Sequence, residues 1–310
     1  MNKIKTVTLV LSPILLLFLF LYLNHDVALN KEVRTESFSI RTDDGFTRTF
    51  HLFDPRKFKM FPKKYPLMIV LHQVGKDSSE AMRNSGFDEV ALNYKFFVAY
   101  PDGGNTKRGN RSWNTDECCF TSGKVLEDDV IFLNNMISEI TDKYPIDLER
   151  IYISGVSASA VMAHRYACEG HYKISGILAV SGHGDKWGDC VYRKPISIIS
   201  VIERDDSIYQ ENYNNFHHSG LKINGEEICS ENFSKEISYR SEFLTVYTFT
   251  NICNEEIERV HYRIDGGNHG WHNVKFFKKD SSDSILWDVK KEIISKTDAE
   301  LAWEVFSRTY

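Results

Sequence analysis

Three side chains suited to nucleophilic chemistry stand far apart in this sequence, and each follows a short apolar run. The run Ile151-Tyr152-Ile153-Ser154-Gly155-Val156-Ser157-Ala158-Ser159-Ala160 reads as a strand passing through small residues into a helix from about Ala160 to Cys168. A sharp strand-to-helix turn can hold a serine hydroxyl clear of the backbone, and small neighbours let the helix pack close to the strand. The usual G-x-S-x-G pattern reads G-V-S-A-S here, with Ser159 in place of the second glycine. Taken alone, Ser157 fits a helix N-cap as well as it fits a nucleophile.

A serine hydroxyl is a poor nucleophile until a base takes its proton, so the chain must also supply a histidine and an acid, here in the order Ser, Asp/Glu, His. The apolar run Ile196 to Ile202 is followed by Glu203-Arg204-Asp205-Asp206, and the run Val260 to Ile264 by Asp265-Gly266-Gly267-Asn268-His269-Gly270-Trp271. Asp205 is the candidate acid with Asp206 its rival, and His269 is the candidate base. A fourth element, Leu71-His72-Gln73-Val74-Gly75, follows the run Leu67 to Leu71. A loop in that place can offer one backbone N–H to a developing oxyanion, and the residue after the nucleophile offers a second. Those donors would be Val74 and Ala158.

Groups of this kind need a scaffold with several strand ends on one side. Thr35 to Arg41 and Phe46 to Phe53 flank the turn signal Thr42-Asp43-Asp44-Gly45, which predicts an opening hairpin. Strand-like runs then recur at 67–71, 96–100, 151–154, 174–180, 196–202 and 260–264, with helical stretches between them. Short continuous apolar runs suit strands buried on both faces of a mostly parallel sheet. Val130, Leu133, Met136 and Ile137 have helical spacing within Asp128 to Ile140, and Ala299 to Phe306 closes the chain as a helix. The pattern predicts an α/β layered fold with helices on both faces, and in such sheets functional groups gather at the carboxyl ends of strands.

The 310 residues carry 38 Lys and Arg against 43 Asp and Glu, a net charge of −5. That balance offers no basic excess for a run of phosphates, so no nucleic-acid partner is expected. A hydrophobic content of 42% with only 18 Gly and 7 Pro excludes disorder and collagen-like repeats. Lys3 and Lys5 precede an uncharged, apolar stretch from Thr6 to Leu23. As a helix it would be about 27 Å long, close to the hydrocarbon thickness of a bilayer. Around Ala28 the residues suit signal cleavage poorly, since Asp26 takes a position that normally holds a small side chain. Residues 1–30 therefore read as a membrane anchor with a short tether, a cleaved signal being the alternative. Residues 31–310 read as one domain outside the cytosol, where the six cysteines could form disulfides.

Taken together, L-H-Q-V at 71–74, F-V-A-Y-P-D-G at 97–103, S-W-N at 112–114, C-C at 118–119, E-D-D-V-I-F-L at 127–133, R-I-Y-I-S-G-V-S at 150–157, M-A-H-R-Y-A-C at 162–168 and D-G-G-N-H-G-W at 265–271 resemble the polyhydroxybutyrate depolymerase and feruloyl/acetylxylan esterase family of secreted α/β-hydrolases. The resemblance covers about residues 65–308. It implies hydrolysis of small or polymeric carboxylic esters without metal or cofactor, with Ser157 as nucleophile, Asp205 as acid, His269 as base and Trp271 as an active-site aromatic. Departures accompany it: Gln73 stands where such enzymes usually have glycine, and Val201-Ile202-Glu203 where they usually have H-G-T. A catalytically weak hydrolase-fold binding or scaffold protein is the competing class. The resemblance also implies a helix over Ser241 to Cys253 and makes Cys229 the natural partner of Cys253. Cys118, Cys119, Cys168 and Cys190 leave three pairings open.

Overall fold

The computed structural model describes residues 35–56, 63–106, 109–115, 127–182, 196–203, 222–223, 226–227, 234–240, 245–254, 257–265, 269–272 and 297–308. The chain opens with the expected hairpin, β1 (Thr35–Arg41) and β2 (Thr47–Phe53), whose turn is closed by bonds between Thr42 and Phe46. Then come β3 (Tyr65–Leu71), α1 (Ser78–Asn84), α2 (Phe87–Tyr94), β4 (Phe97–Pro101) and the short pair β5 (Gly104–Asn105) and β6 (Arg111–Ser112). After α3 (Asp129–Lys143) follow β7 (Ile146–Val156), α4 (Ala158–Glu169), β8 (Gly176–Val180) and β9 (Ser197–Glu203). The two-residue strands β10 (Lys222–Ile223) and β11 (Glu226–Glu227) pair with each other. The chain then runs through β12 (Ser234–Arg240), β13 (Thr245–Asn254), β14 (Ile257–Asp265) and α5 (Asp298–Arg308).

Ten strands form one sheet in the order β1-β2-β4-β3-β7-β8-β9-β14-β13-β12. From β4 to β14 every neighbour pair is parallel, and the pairs outside that block are antiparallel. The side-chain period of two sends alternate residues of β3 to opposite faces. Leu67, Ile69 and Leu71 join the cluster made with Phe132, Leu133, Met136 and Ile137 of α3 and Met162 and Tyr166 of α4. Met68 and Val70 join the cluster made with Phe87 and Val90 of α2 and Trp303 and Phe306 of α5. Both faces of the central strands are covered by helices, so these strands carry continuous apolar runs rather than an alternation.

Local signals fix the helix ends. Asp128 caps α3 by accepting from the N–H groups of Val130 and Ile131. Thr297 and Glu300 form a reciprocal capping box at the start of α5, Thr297 N–H donating to Glu300 Oε2 (2.7 Å) and Glu300 N–H to Thr297 Oγ1 (3.2 Å).

One expectation is overturned. Within Ser241 to Cys253 the described residues, Thr245 onward, are not helical: they belong to β13, which pairs antiparallel with β14 on one side and β12 on the other. The sequence Thr245-Val246-Tyr247-Thr248-Phe249-Thr250 is a run of β-branched and aromatic residues, which suits a pleated surface better than a helix. Cys253 thus lies on a strand. Cys168, at the end of α4, is disulfide-bonded. Cys118, Cys119, Cys190 and Cys229 lie outside the described residues, as does the apolar segment Thr6 to Leu23. Among the described residues no helix is long and apolar enough to cross a membrane.

Candidate active site

The turn between β7 and α4 is built around one strained residue. Ser157 has φ 62° and ψ −126°, a conformation that costs a side-chain-bearing residue about 1–3 kcal/mol and persists only when its surroundings enforce it. They do so on both sides. Ser157 N–H donates to Val180 O of β8 (2.9 Å), and Ser157 O accepts from Ala160 and Val161 of the new helix. Gly155 has to be glycine, because a β-carbon there would collide with the main chain of Ser159. Ser157 makes no side-chain capping bond to α4, so its half-exposed hydroxyl is not spent as an N-cap.

Ser159, in the place of the second glycine of the pattern, is fully buried and braces the turn. Its hydroxyl accepts from Val156 N–H (2.7 Å) and lies 2.8 Å from Val156 O and 3.3 Å from Leu71 O. The departure from glycine therefore ties the end of β7 to the end of β3, where the loop carrying Val74 begins.

That loop is held by His72. Gly103 N–H donates to His72 Nε2 (2.8 Å), which must therefore be unprotonated, so the ring proton sits on Nδ1 and is donated to Gln73 O (2.7 Å). Trp113 Nε1–H donates to His72 O (2.8 Å) with its ring tilted over the imidazole. Burial pulls the His72 pKa below its ordinary value. Beside it, Asp102 accepts from Ser78 N–H (2.9 Å) and Thr49 Oγ1 (2.7 Å) and pairs with Arg111 (3.1 Å). Burial alone would raise its pKa, but these bonds and the Arg111 charge prevail and lower it. Arg48 pairs with the fully buried Asp129 (2.5 Å) and donates to Asp102 O (2.9 Å), while Asn114 N–H donates to Asp129 Oδ2 (2.6 Å). The P-D-G, S-W-N and E-D-D motifs are thus parts of one buried polar network under the loop that presents Val74.

The neutral state of His72 has a pH signature. A histidine with a depressed folded pKa contributes stability that is complete above its unfolded value of about 6.5 and is lost as pH falls through the folded value. Asp88 runs the opposite way: burial beside Tyr100 raises its pKa to about 6, so its contribution, present at low pH, is lost as pH rises through that value. The difference in unfolding free energy between wild type and His72→Gln isolates the first effect. That difference is expected to shrink as pH drops below about 6.5; a difference constant from pH 7.5 to 4.5 would mean that His72 does not titrate in this way.

His269 lies just beyond the end of β14 and is half-buried. The next residue, Gly270, has φ 153°, which favours glycine, and a β-carbon on it would sit 3.5 Å from Gln73 Nε2 of the loop after β3. The turn that carries His269 therefore abuts the loop that carries Val74. Trp271 follows, packed edge-to-face on Phe87 of α2 with ring centroids 6.2 Å apart. His272 then fastens the segment to α5: its N–H donates to Asp298 Oδ2 (2.7 Å), and its ring Nδ1 lies 3.2 Å from the same oxygen. Asp205 and Asp206 lie outside the described residues, two and three positions beyond the end of β9. Sequence reasoning missed Arg48 and Asp298. Arg48 had a signal, since it shares the inward phase of β2 with Phe50 and Leu52.

Comparison with known proteins bears on the same residues. Residues 52–206 match the family described as esterase PHB depolymerase. Feruloyl esterase B of Piromyces equi is 35% identical over 158 residues, 48% of this chain and 28% of that protein. A bifunctional acetylxylan esterase/xylanase of Neocallimastix patriciarum is 22% identical over 232 residues, 74% of this chain and 32% of that protein. The chain spans about a third of the length of these two relatives, 28% and 32%. An S-formylglutathione hydrolase from Agrobacterium tumefaciens superposes with a TM-score of 0.54 at 12% identity, covering 89% of this chain and 95% of that one, a likeness of fold alone. The family match takes in half of the chain, including the loop after β3, Asp102, Asn114 and Asp129 of its buried network, and the serine turn, and on that ground the chain belongs to the esterase PHB depolymerase family of carboxylic ester hydrolases, built on the α/β-hydrolase fold.

Proposed function

We propose that this chain hydrolyses carboxylic esters through an acyl-enzyme on Ser157. The observation that carries the reading is the strained backbone of Ser157 at the β7–α4 turn, which serves no capping purpose. In this mechanism His269 takes the Ser157 proton as the oxygen attacks the ester carbonyl, and Asp205 orients the imidazole and offsets its positive charge. The N–H groups of Val74 and Ala158 hold the tetrahedral oxyanion. Ala158 is the first residue of α4, where amide groups lack intrahelical partners and the helix dipole favours negative charge. Collapse of the intermediate passes the proton from His269 to the leaving alcohol, and water then releases the acid by the same route.

The substrates we infer are feruloyl or acetyl esters of sugars and hydroxybutyrate-type oligomers, in keeping with the family and with the activities named for the two relatives. We place the domain outside the cytosol, held at the membrane by Thr6 to Leu23. Support for that placement is the length and apolarity of the stretch and the poor cleavage site behind it.

The reading is tested by fluorophosphonate labelling and by turnover of a panel of short acyl esters, hydroxybutyrate oligomers and feruloyl or acetyl sugars. Within it, Asp205→Asn is expected to lower kcat by about 10⁴-fold and Asp206→Asn by far less. A larger loss for Asp206 would move the acid by one residue. A wild-type protein that neither labels nor turns over any ester would leave the binding-protein class in possession.

A further inference from the structure

The main chain of the loop after β3 is anchored at Gln73 O and Gly75 N–H, and one polar side chain in it is left over. Gln73 O accepts from His72 Nδ1 (2.7 Å) and from Lys76 N–H (3.0 Å), and Gly75 N–H donates to Arg111 O (2.8 Å). With its carbonyl held by two donors, Gln73 starts its side chain from an anchored Cα, and that side chain reaches the neighbouring loop. Its Nε2 lies 3.5 Å from where a β-carbon of Gly270 would stand. The side chain is half-buried, and the carboxamide forms no hydrogen bond with any described residue. One position beyond Gly270, Trp271 Nε1–H is buried and likewise has no partner among the described residues.

A buried donor without an acceptor is costly, and native structures rarely keep one without a use. Here the Gln73 carboxamide lies against Gly270, and the buried indole N–H belongs to the next residue, Trp271; Gly270 and Trp271 directly follow His269 in the chain. Indole can only donate, whereas a carboxamide both donates and accepts, so the group that satisfies them carries an oxygen. The following inference rests on the proposed ester hydrolysis, in which His269 hands its proton to the leaving oxygen. A side chain lying against the His269–Gly270 turn then faces the alcohol half of the ester rather than the acyl half.

We propose that Gln73 is a substrate-contacting, specificity-determining residue whose carboxamide hydrogen-bonds an oxygen on the alcohol portion of the ester, one or two atoms from the scissile bond. The site would thereby select alcohols bearing a neighbouring hydroxyl, as in polyols and sugars, over their alkyl counterparts.

A matched pair of substrates tests this. 2-Hydroxyethyl acetate and n-propyl acetate share the acyl group and nearly the same size, and differ by a hydroxyl in place of a methyl. The ratio of kcat/KM for the first over the second is expected to be about tenfold in the wild type, the worth of one hydrogen bond between neutral groups, and to fall to about one in Gln73→Leu. Gln73→Ala separates bonding from bulk: the ratio collapses in both variants if the carboxamide bonds the substrate, but only in Gln73→Ala if the side chain merely fills space. Fluorophosphonate labelling of Ser157 reports that each variant is folded. A wild type that labels and turns over both esters with a ratio near one overturns the assignment of Gln73 and leaves ester hydrolysis standing, as does a ratio unchanged in Gln73→Leu. A wild type that neither labels nor hydrolyses either ester overturns ester hydrolysis itself, and Gln73 with it.

Discussion

Ser157→Ala is expected to lower ester turnover by about 10⁴-fold or more and to abolish fluorophosphonate labelling, with little change in stability. Stability should hold because alanine at 157 keeps the β-carbon, the backbone bond to Val180 O and the start of α4, losing only a hydroxyl that caps nothing. Ser157→Gly is the informative companion. At φ 62° a glycine has no steric penalty, so this variant should be as inactive as the alanine variant yet more resistant to denaturant by about 1 kcal/mol. A protein whose inactivation makes it more stable is one in which strain is kept to aim a side chain. Undiminished turnover in either variant would remove Ser157 from the chemistry, and a Ser157→Gly protein less stable than the alanine variant would mean that the turn carries no strain to relieve.

The serine turn was legible in the sequence because its requirements are local. Gly155 is needed where helix and strand approach, small residues are needed around Ser157, and both stand within ten residues of each other. The central strands were legible for a related reason: burial on both faces turns them into apolar runs, and β3, β4, β8 and β9 lie within a few residues of where those runs predict them. The strand β13, next to the edge, was misread because a residue pattern borrowed from resemblance was given more weight than β-propensity. Thr245 to Thr250 carries the marks of a strand, and its partner across the short connection to Ile257 carries them too. The role of His72 could not be read at all, since the ring is fixed by Gly103, 31 positions away. Motifs recognised as an ordered series proved to be a network in space, and nothing in the spacing of Asp102, Asn114 and Asp129 says that they meet.

The same network yields the largest stability effect expected. Arg48→Met should cost about 3–5 kcal/mol, because it leaves Asp129, fully buried and with no water to turn to, without its cation. Methionine keeps much of the stem that packs against Phe132, whose ring lies 4.1 Å from the Arg48 guanidinium carbon, so the loss reports the charge more than the packing. Removing the stranded acid as well should restore part of that stability: in Arg48→Met/Asp129→Leu no buried charge is left uncompensated. Recovery stays partial, since Asn114 N–H loses its acceptor and Asp102 O loses the Arg48 donor. Turnover should recover less than stability, because Asp102 O is the carbonyl next to Gly103, and Gly103 N–H is the group that fixes His72 at the start of the loop carrying Val74, the proposed oxyanion donor. Denaturant midpoints and kcat for the three proteins decide the matter. A loss below about 1 kcal/mol in Arg48→Met would show that the pair is solvated and structurally idle. A double variant no more stable than the single one would place the cost in packing instead of in the unpaired charge. A double variant restored in stability but not in turnover would identify Arg48 as the residue that carries the order of the buried network up to the loop presenting Val74.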